Sequence, residues 1–218
     1  IAAQSVSHYS NQGLKILVID RNPSNLPGMK SIAGWVCGDA VSKEAVDFMS
    51  NRIKVNWSEP EIEHKVKGVM AFSPDRETSI PFDGAGYMLN RQVLPQRQNE
   101  RTLAMGVDFD FEINLTGLLY DGDQVVGVQG IDYKTKTPYK KTAKVVIDAT
   151  GMTSMLRNQI SNTTKMERKV DRKDVESTGR HIMHFDQGEE DLTEFDENYC
   201  IIHLDQDIAP GGYGWVFP

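Results

Sequence analysis

The chain has 218 residues, with 31 acidic against 24 basic side chains and a formal net charge of −7. Its 39% hydrophobic content can fill one large domain or two small ones, which excludes wholesale disorder. The acidic balance lacks the concentrated basic face that a nucleic-acid partner needs, and no apolar run approaches the ~20 residues that span a bilayer.

Residues 2–12 carry apolar positions at Ala2, Ala3, Val6 and Tyr9, a helical stripe that Gly13 can stop. Leu14–Ile19 then reads as a buried parallel strand ending in Asp20. Helix, glycine, strand and acid form the second half of a Rossmann βαβ unit, whose Gly-rich turn would lie about 20 residues before the acid. That count places the turn at or before Ile1. The chain lacks an initiator Met and stops abruptly at Trp215-Val216-Phe217-Pro218, so it is expected to continue at both ends.

Arg21–Ala40 is loop-like, rich in Pro and Gly, and a short helix is expected over Ser42–Met49. Strand-like pieces follow at Val66–Phe72, Thr78–Phe82 and Tyr87–Leu89, then a helix over Asn90–Met105 with Pro95 near its start. Val107, Phe109, Phe111 and Ile113 alternate with polar residues, the pattern of one half-buried strand. Leu115–Tyr120 and Gln124–Tyr133 flank an Asp-Gly-Asp turn and predict a hairpin. Lys144–Asp148 reads as a buried strand entering Ala149-Thr150-Gly151, with a helix expected over Thr153–Gln159. Residues 161–180, including the alternating charges of Lys165–Glu176, read as a solvated connection, and further strands are expected at His181–Phe185 and Tyr199–Leu204.

Several positions can carry chemistry. Asp20, at a strand's carboxyl end, can accept ribose hydroxyls or be a plain surface acid. Gly151 lets the backbone approach a ligand closely, although many strands end this way. The loop Ala33–Ser42, with Cys37, Gly38 and Ala40, can lie against a flat ligand or be a merely tight loop with an inert thiol. Tyr213, Trp215 and Phe217 alternate, so they share one face of a strand, either as a wall for an elongated apolar ligand or as ordinary core. No metal site is expected: His181-x-x-His184 and Cys200-x-x-His203 fall in strand segments, where positions i and i+3 point to opposite faces. The two cysteines, Cys37 and Cys200, are too few for a disulfide framework and suit a reducing, cytoplasmic setting.

Ala209-Pro210-Gly211-Gly212-Tyr213-Gly214-Trp215-Val216-Phe217-Pro218 closely resembles the Pro-Gly-Gly-Tyr-x-Trp-x-Phe-Pro signature of the geranylgeranyl reductase family, archaeal members above all. Cys37-Gly38-Asp39-Ala40-Val41-Ser42 resembles that family's Cys-Gly-Glu-Gly-Val-Ser loop beside the flavin, with Ala40 where many members have Gly. Tyr87-x-x-x-Arg91, and Val145–Gly151 followed by Ser154 and Arg157, match further pieces in the same order.

The resemblance implies an α/β fold: a Rossmann-like FAD-binding domain of the p-hydroxybenzoate hydroxylase type with an antiparallel-sheet substrate domain. Residues 1–65 and 90–160 would belong to the discontinuous FAD-binding domain, and 66–89 and 161–218 to the substrate domain. The implied activity is FAD-dependent reduction of isolated C=C bonds in geranylgeranyl chains of prenyl lipids. Asp20, Cys37, Gly38, Ala40, Arg91, Leu115 and Gly151 would contact FAD, Leu115 on spacing alone. Tyr213, Trp215 and Phe217 would line the prenyl path, and Cys37 is the candidate proton donor. The electron donor stays open between NADPH and ferredoxin. A cytoplasmic protein touching a membrane surface transiently is expected, with no nucleic-acid partner. Two alternatives stay open: an aromatic hydroxylase or quinone-coupled dehydrogenase of the same fold, and a non-catalytic lipid-binding module.

Overall fold

The computed structural model describes residues 1–10, 13–24, 37–161, 166, 168–183 and 195–218. Helix α1 (Ala2–Tyr9) leads through Gly13, at φ +58°, to strand β1 (Leu17–Ile19). Positions 11–12 of the expected helix lie outside the described residues, as do 25–36 of the loop that follows Asp20. Strand β2 (Ala40–Ser42) runs into α2 (Lys43–Phe48), whose start is capped by the Ser42 hydroxyl accepting from the Ala45 N–H. A π-turn over Met49–Ile53 prolongs α2 and buries Met49 and Ile53 with Val55 and Trp57.

The three strand pieces expected between 66 and 89 are two long strands, β3 (Ile62–Phe72) and β4 (Ser79–Leu89). Glycine does not break β3 at Gly68, because a Cβ there would lie 2.2 Å from the Phe82 carbonyl oxygen. Pro81 is tolerated because β2 pairs with β4 only over Gly86–Met88, which leaves Pro81 on an outer edge. Helix α3 (Leu94–Ala104) starts later than the expected Asn90, with Pro95 in its first turn, where its missing N–H costs no helical bond.

The expected single strand over 107–113 is two. Strand β5 (Asp108–Asp110) pairs parallel with β1, while β6 (Ile113–Asp121) pairs antiparallel with β7 (Gln124–Asp132). Glu112 takes φ +61° between them and redirects the chain, a turn that hydrophobic alternation does not register. The predicted hairpin is present, with Gly122 at φ +56° in its turn, and β8 (Pro138–Thr142) completes a three-stranded sheet.

Residues 144–148 do not form the expected buried strand: Val145 is 75% exposed and Ile147 60%. Apolar runs become strands only beside a neighbour, and among the described residues β1 and β5 pair only with each other. The helix expected over 153–159 is a single 3₁₀ turn, Arg157–Gln159. Ser154 and Thr150 hydroxyls bond to the Asp148 carboxylate instead, the usual competition of such side chains with helix formation. Residues 181–183 are not strand, and the remainder of that expected strand lies outside the described residues. The described residues of the connection before it are mostly exposed and include a short turn, Arg172–Asp174.

The second large sheet has the order β10-β9-β3-β4-β2, where β9 is Tyr199–His203 and β10 is Gly214–Val216. Its strands are antiparallel except that β9 runs parallel to β3. This sheet takes in residues 40–42, and β3 crosses position 65. The architecture is α/β, with a parallel Rossmann-type pair beside a mostly antiparallel sheet.

Candidate functional site

Strand register assigns the faces of the large sheet. Paired residues share a face, so Trp215, Ile202, Ala71 and Ile80 form one transverse row, and Cys200, Val69 and Phe82 a second. Phe217 joins the second row by packing on the buried cluster of Val66, Met88 and Cys200. Tyr213, Trp215 and Phe217 follow one another with ring centroids 6.2 and 6.1 Å apart. The expected aromatic row is therefore present, although β10 itself is only three residues long. Ile80 and Phe82, at the far end of the rows, are 54% and 58% exposed.

A groove of about 200 Å³ runs along this face, lined among others by Ala40, Val66, Gly68, Gly84 and Cys200. Burial in this setting pushes the Cys200 thiol up to about 11, so Cys200 is packing, not chemistry. His203 stacks on Phe72 on the opposite face, with ring centroids 5.5 Å apart. Cys200 and His203 therefore diverge and cannot share a metal, while His184 lies outside the described residues.

The loop Cys37-Gly38-Asp39 closes one end of the aromatic row. A Cβ on Gly38 would lie 2.8 Å from Phe217 Cε2 and 3.4 Å from Trp215 Nε1. Asp39, only 6% exposed and at φ +65°, is held by two arginines. Arg91 Nε donates to its Oδ1 at 2.9 Å, and Arg180 Nη1 pairs with its Oδ2. Arg91 Nη2 also lies 3.0 Å from the exposed Cys37 Sγ, and Arg180 Nη1 donates to the Cys37 carbonyl at 2.8 Å.

The structure thus brings together Cys37, Gly38, Arg91, Trp215 and Phe217, with Ala40 in the adjoining groove and Tyr213 next along the row. Asp20, Leu115 and Gly151 sit on other elements. The Asp20 carboxylate accepts from the Asn22 N–H at 2.8 Å at the end of β1. Leu115 is on β6, opposite Gly130. Gly151 takes φ +90°, with open space where a Cβ would be. Beside it, burial raises the Asp148 carboxyl, yet hydrogen bonds from Ser154 and Thr150 outweigh this and hold it below the usual range.

Sequence reasoning missed Asp39 and Arg180 as site residues. Asp39 had a readable signal, the lone charge in a loop of small and apolar residues. Arg180 had none, since its partner is 141 positions away.

The family described as the geranylgeranyl reductase catalytic domain matches residues 174–218, which contain Arg180 and the aromatic row. The digeranylgeranylglycerophospholipid reductase of Sulfolobus acidocaldarius is 32% identical over 96% of this chain and 43% of that protein. The chain is thus similar to the geranylgeranyl reductase family, most specifically over residues 174–218. The enzyme of the same name from Methanosarcina acetivorans is 23% identical over the full chain and 48% of its own length. The chain therefore spans about half the length of the curated family members it matches.

Among solved structures, a geranylgeranyl bacteriochlorophyll reductase-like protein from Thermoplasma acidophilum superposes with a TM-score of 0.73 at 23% identity. It covers the whole of this chain and half of its own. A myxobacterial FAD-dependent chondrochloren halogenase superposes over 72% of this chain and 36% of its own, with a TM-score of 0.56 at 15% identity. Family members and flavin halogenases therefore share this fold.

Proposed function

We propose that the protein carrying this chain is an FAD-dependent reductase that saturates isolated C=C bonds in the geranylgeranyl chains of prenyl lipids. The observation that carries the reading is the junction of Gly38 with Phe217 and Trp215, where the loop of the reactive site meets a long apolar face. The family match supports the chemistry, and the transverse rows support an elongated hydrocarbon as its substrate.

The donor set fits FAD. Asp20 ends a parallel strand with lone pairs beyond the one Asn22 uses, as a ribose partner needs. Arg91 and Arg180 together carry more N–H donors than Asp39 and Cys37 consume, which suits the acceptor atoms of a flavin or pyrophosphate. When bound and reduced, FAD supplies the hydride that alkene saturation requires.

The chain's own residues do the rest. Asp20 and Arg91 hold the cofactor, with Leu115 beside the adenine, and Gly151 permits close backbone approach. Cys37, Gly38 and Ala40 border the ring system. Tyr213, Trp215 and Phe217 align one double bond at a time and exclude water. Cys37 Sγ, exposed at the junction, delivers the proton to the second alkene carbon. Electrons come from NADPH or ferredoxin. Its lipid substrate implies transient contact with a membrane surface from the cytoplasm; no helix among the described residues is long and apolar enough to cross one.

The test is direct. The complete protein, purified and assayed for bound flavin, is reduced anaerobically with dithionite and mixed with a geranylgeranyl phospholipid. Mass spectrometry should show two hydrogens gained per saturated bond. Absence of flavin, or a substrate of unchanged mass, overturns the reading, and a hydroxylated product formed in air assigns the hydroxylase chemistry instead.

A further inference from the structure

A carboxylate as buried as that of Asp39 is stable only when its charge is met, and a non-glycine residue keeps a left-handed backbone only where its surroundings hold it there. Both conditions trace to contacts from distant parts of the chain. The Leu89 N–H donates to the Asp39 carbonyl at 3.0 Å, Arg91 takes Oδ1, and Arg180 takes Oδ2 together with the Cys37 carbonyl. On the other side, Phe217 and Trp215 leave no room for a side chain at Gly38. The three-residue loop is pressed between a charged clamp and an aromatic row.

Arg91 meets the loop at two side chains, Asp39 and Cys37, whereas Arg180 joins the backbone carbonyl of Cys37 to the carboxylate of Asp39, with one nitrogen. Arg180 is partly buried at 24% side-chain exposure and the Asp39 side chain is 7% exposed, so the ion pair is partly sheltered from competing water.

We propose that Arg180, acting through Asp39, is a positioning residue: it fixes the Cys37–Gly38 backbone against Trp215 and Phe217 and so sets the gap in which a substrate double bond is presented for reduction. The geometric part stands on the clamp alone, and the link to reduction rests on the function proposed above. The polar contacts of Arg180 are to the Cys37 carbonyl and the Asp39 carboxylate, so its effect travels through the loop backbone.

Two readouts on the complete protein separate the parts. The first is hydrogen exchange followed by mass spectrometry over the peptide containing residues 37–42. The second is steady-state reduction of a geranylgeranyl phospholipid, with kcat and KM taken separately. Arg180→Met should speed exchange in that peptide and lower kcat by roughly ten- to a hundredfold, as loss of alignment by about 1 Å does, with KM within about threefold. Arg180→Lys keeps a positive charge facing Asp39 on a shorter side chain that holds the two acceptors less closely, so it should recover part of kcat. It also serves if the methionine variant fails to fold. Arg101→Met breaks a different ion pair, with Glu61, and should lower the unfolding temperature while leaving kcat and the exchange of residues 37–42 alone.

Unchanged exchange at 37–42 in both Arg180 variants overturns the clamp. Faster exchange with unchanged kcat overturns its role in positioning. A wild-type protein that reduces no prenyl lipid overturns the function proposed above, and the exchange arm then still decides the clamp.

Discussion

Replacing Gly38 by Ala tests the seating of the loop on the aromatic row with a single methyl group. Gly38 is not in the left-handed region, so an alanine there carries no backbone penalty and, through the unfolded chain, would stabilise by about 0.4–1 kcal/mol if space allowed. Space does not allow it. The added carbon would lie 2.8 Å from Phe217 Cε2 and 3.3 Å from Cδ2, against an optimum of about 3.5–4.0 Å for carbon pairs. Phe217 cannot simply withdraw, because it packs on Val66, Met88 and Cys200, which are 7%, 5% and 2% exposed. Overpacking of this kind costs about 1–3 kcal/mol, so the sign of the effect reverses. Urea unfolding of the complete protein would measure it. Phe217→Leu shortens the obstructing ring, so the double variant should regain part of the loss, a coupling of about 0.5–3 kcal/mol. Gly38→Ala that stabilises, or that adds to Phe217→Leu without coupling, refutes the contact between loop and aromatic row.

Other expectations concern separate parts of the molecule. Arg101→Met leaves the fully buried Glu61 without its partner and should cost about 3–5 kcal/mol in urea unfolding, whereas the double change with Glu61→Leu should recover most of that. N-ethylmaleimide should label the exposed Cys37 in the native protein and reach Cys200 only after denaturation, as peptide mapping would show. The Asp148 carboxyl is held below its ordinary value of 3.8 in the fold, so its contribution is present above about pH 4 and lost as pH falls through the lowered folded value. The stability difference between wild type and Asp148→Asn should shrink over that acid range and no other. Trp215→Ala should lower prenyl-lipid reduction at least about tenfold while flavin content stays the same; undiminished reduction removes Trp215 from the substrate path.

The parts legible in the sequence were those decided locally. An Asp-Gly turn between apolar runs gave the β6–β7 hairpin, Pro95 marked the start of α3, and the alternation of Tyr213, Trp215 and Phe217 gave the aromatic row. Features decided by remote neighbours were not legible. Gly84 looks like a break between two strand pieces until the pairing of Asp83 and Gly86 with β3 on either side of it is seen. Val145 and Ile147 read as core, but an apolar segment is buried only by something beside it. Arg180 sat at the end of a charged stretch that composition marks as solvated, and only its closeness to Asp39 separates it from Arg172 or Lys173. The split between β5 and β6 turned on a single left-handed Glu112, a residue type that seldom marks such a turn.

The parallel pairing of β9 with β3 has a consequence for how the molecule is made. A chain leaving the ribosome can zip β3 to β4 as soon as both have emerged, since they are joined by a short turn. The other edge of β3, from Gly68 to Phe72, must then wait uncovered until residues 199–203 arrive. Cys200, Trp215 and Phe217 come with that late segment or after it, so the apolar face is the last part of the sheet to be assembled. Nascent chains stalled before residue 199 should expose an open strand edge and bare apolar surface, the features that draw chaperones and promote aggregation.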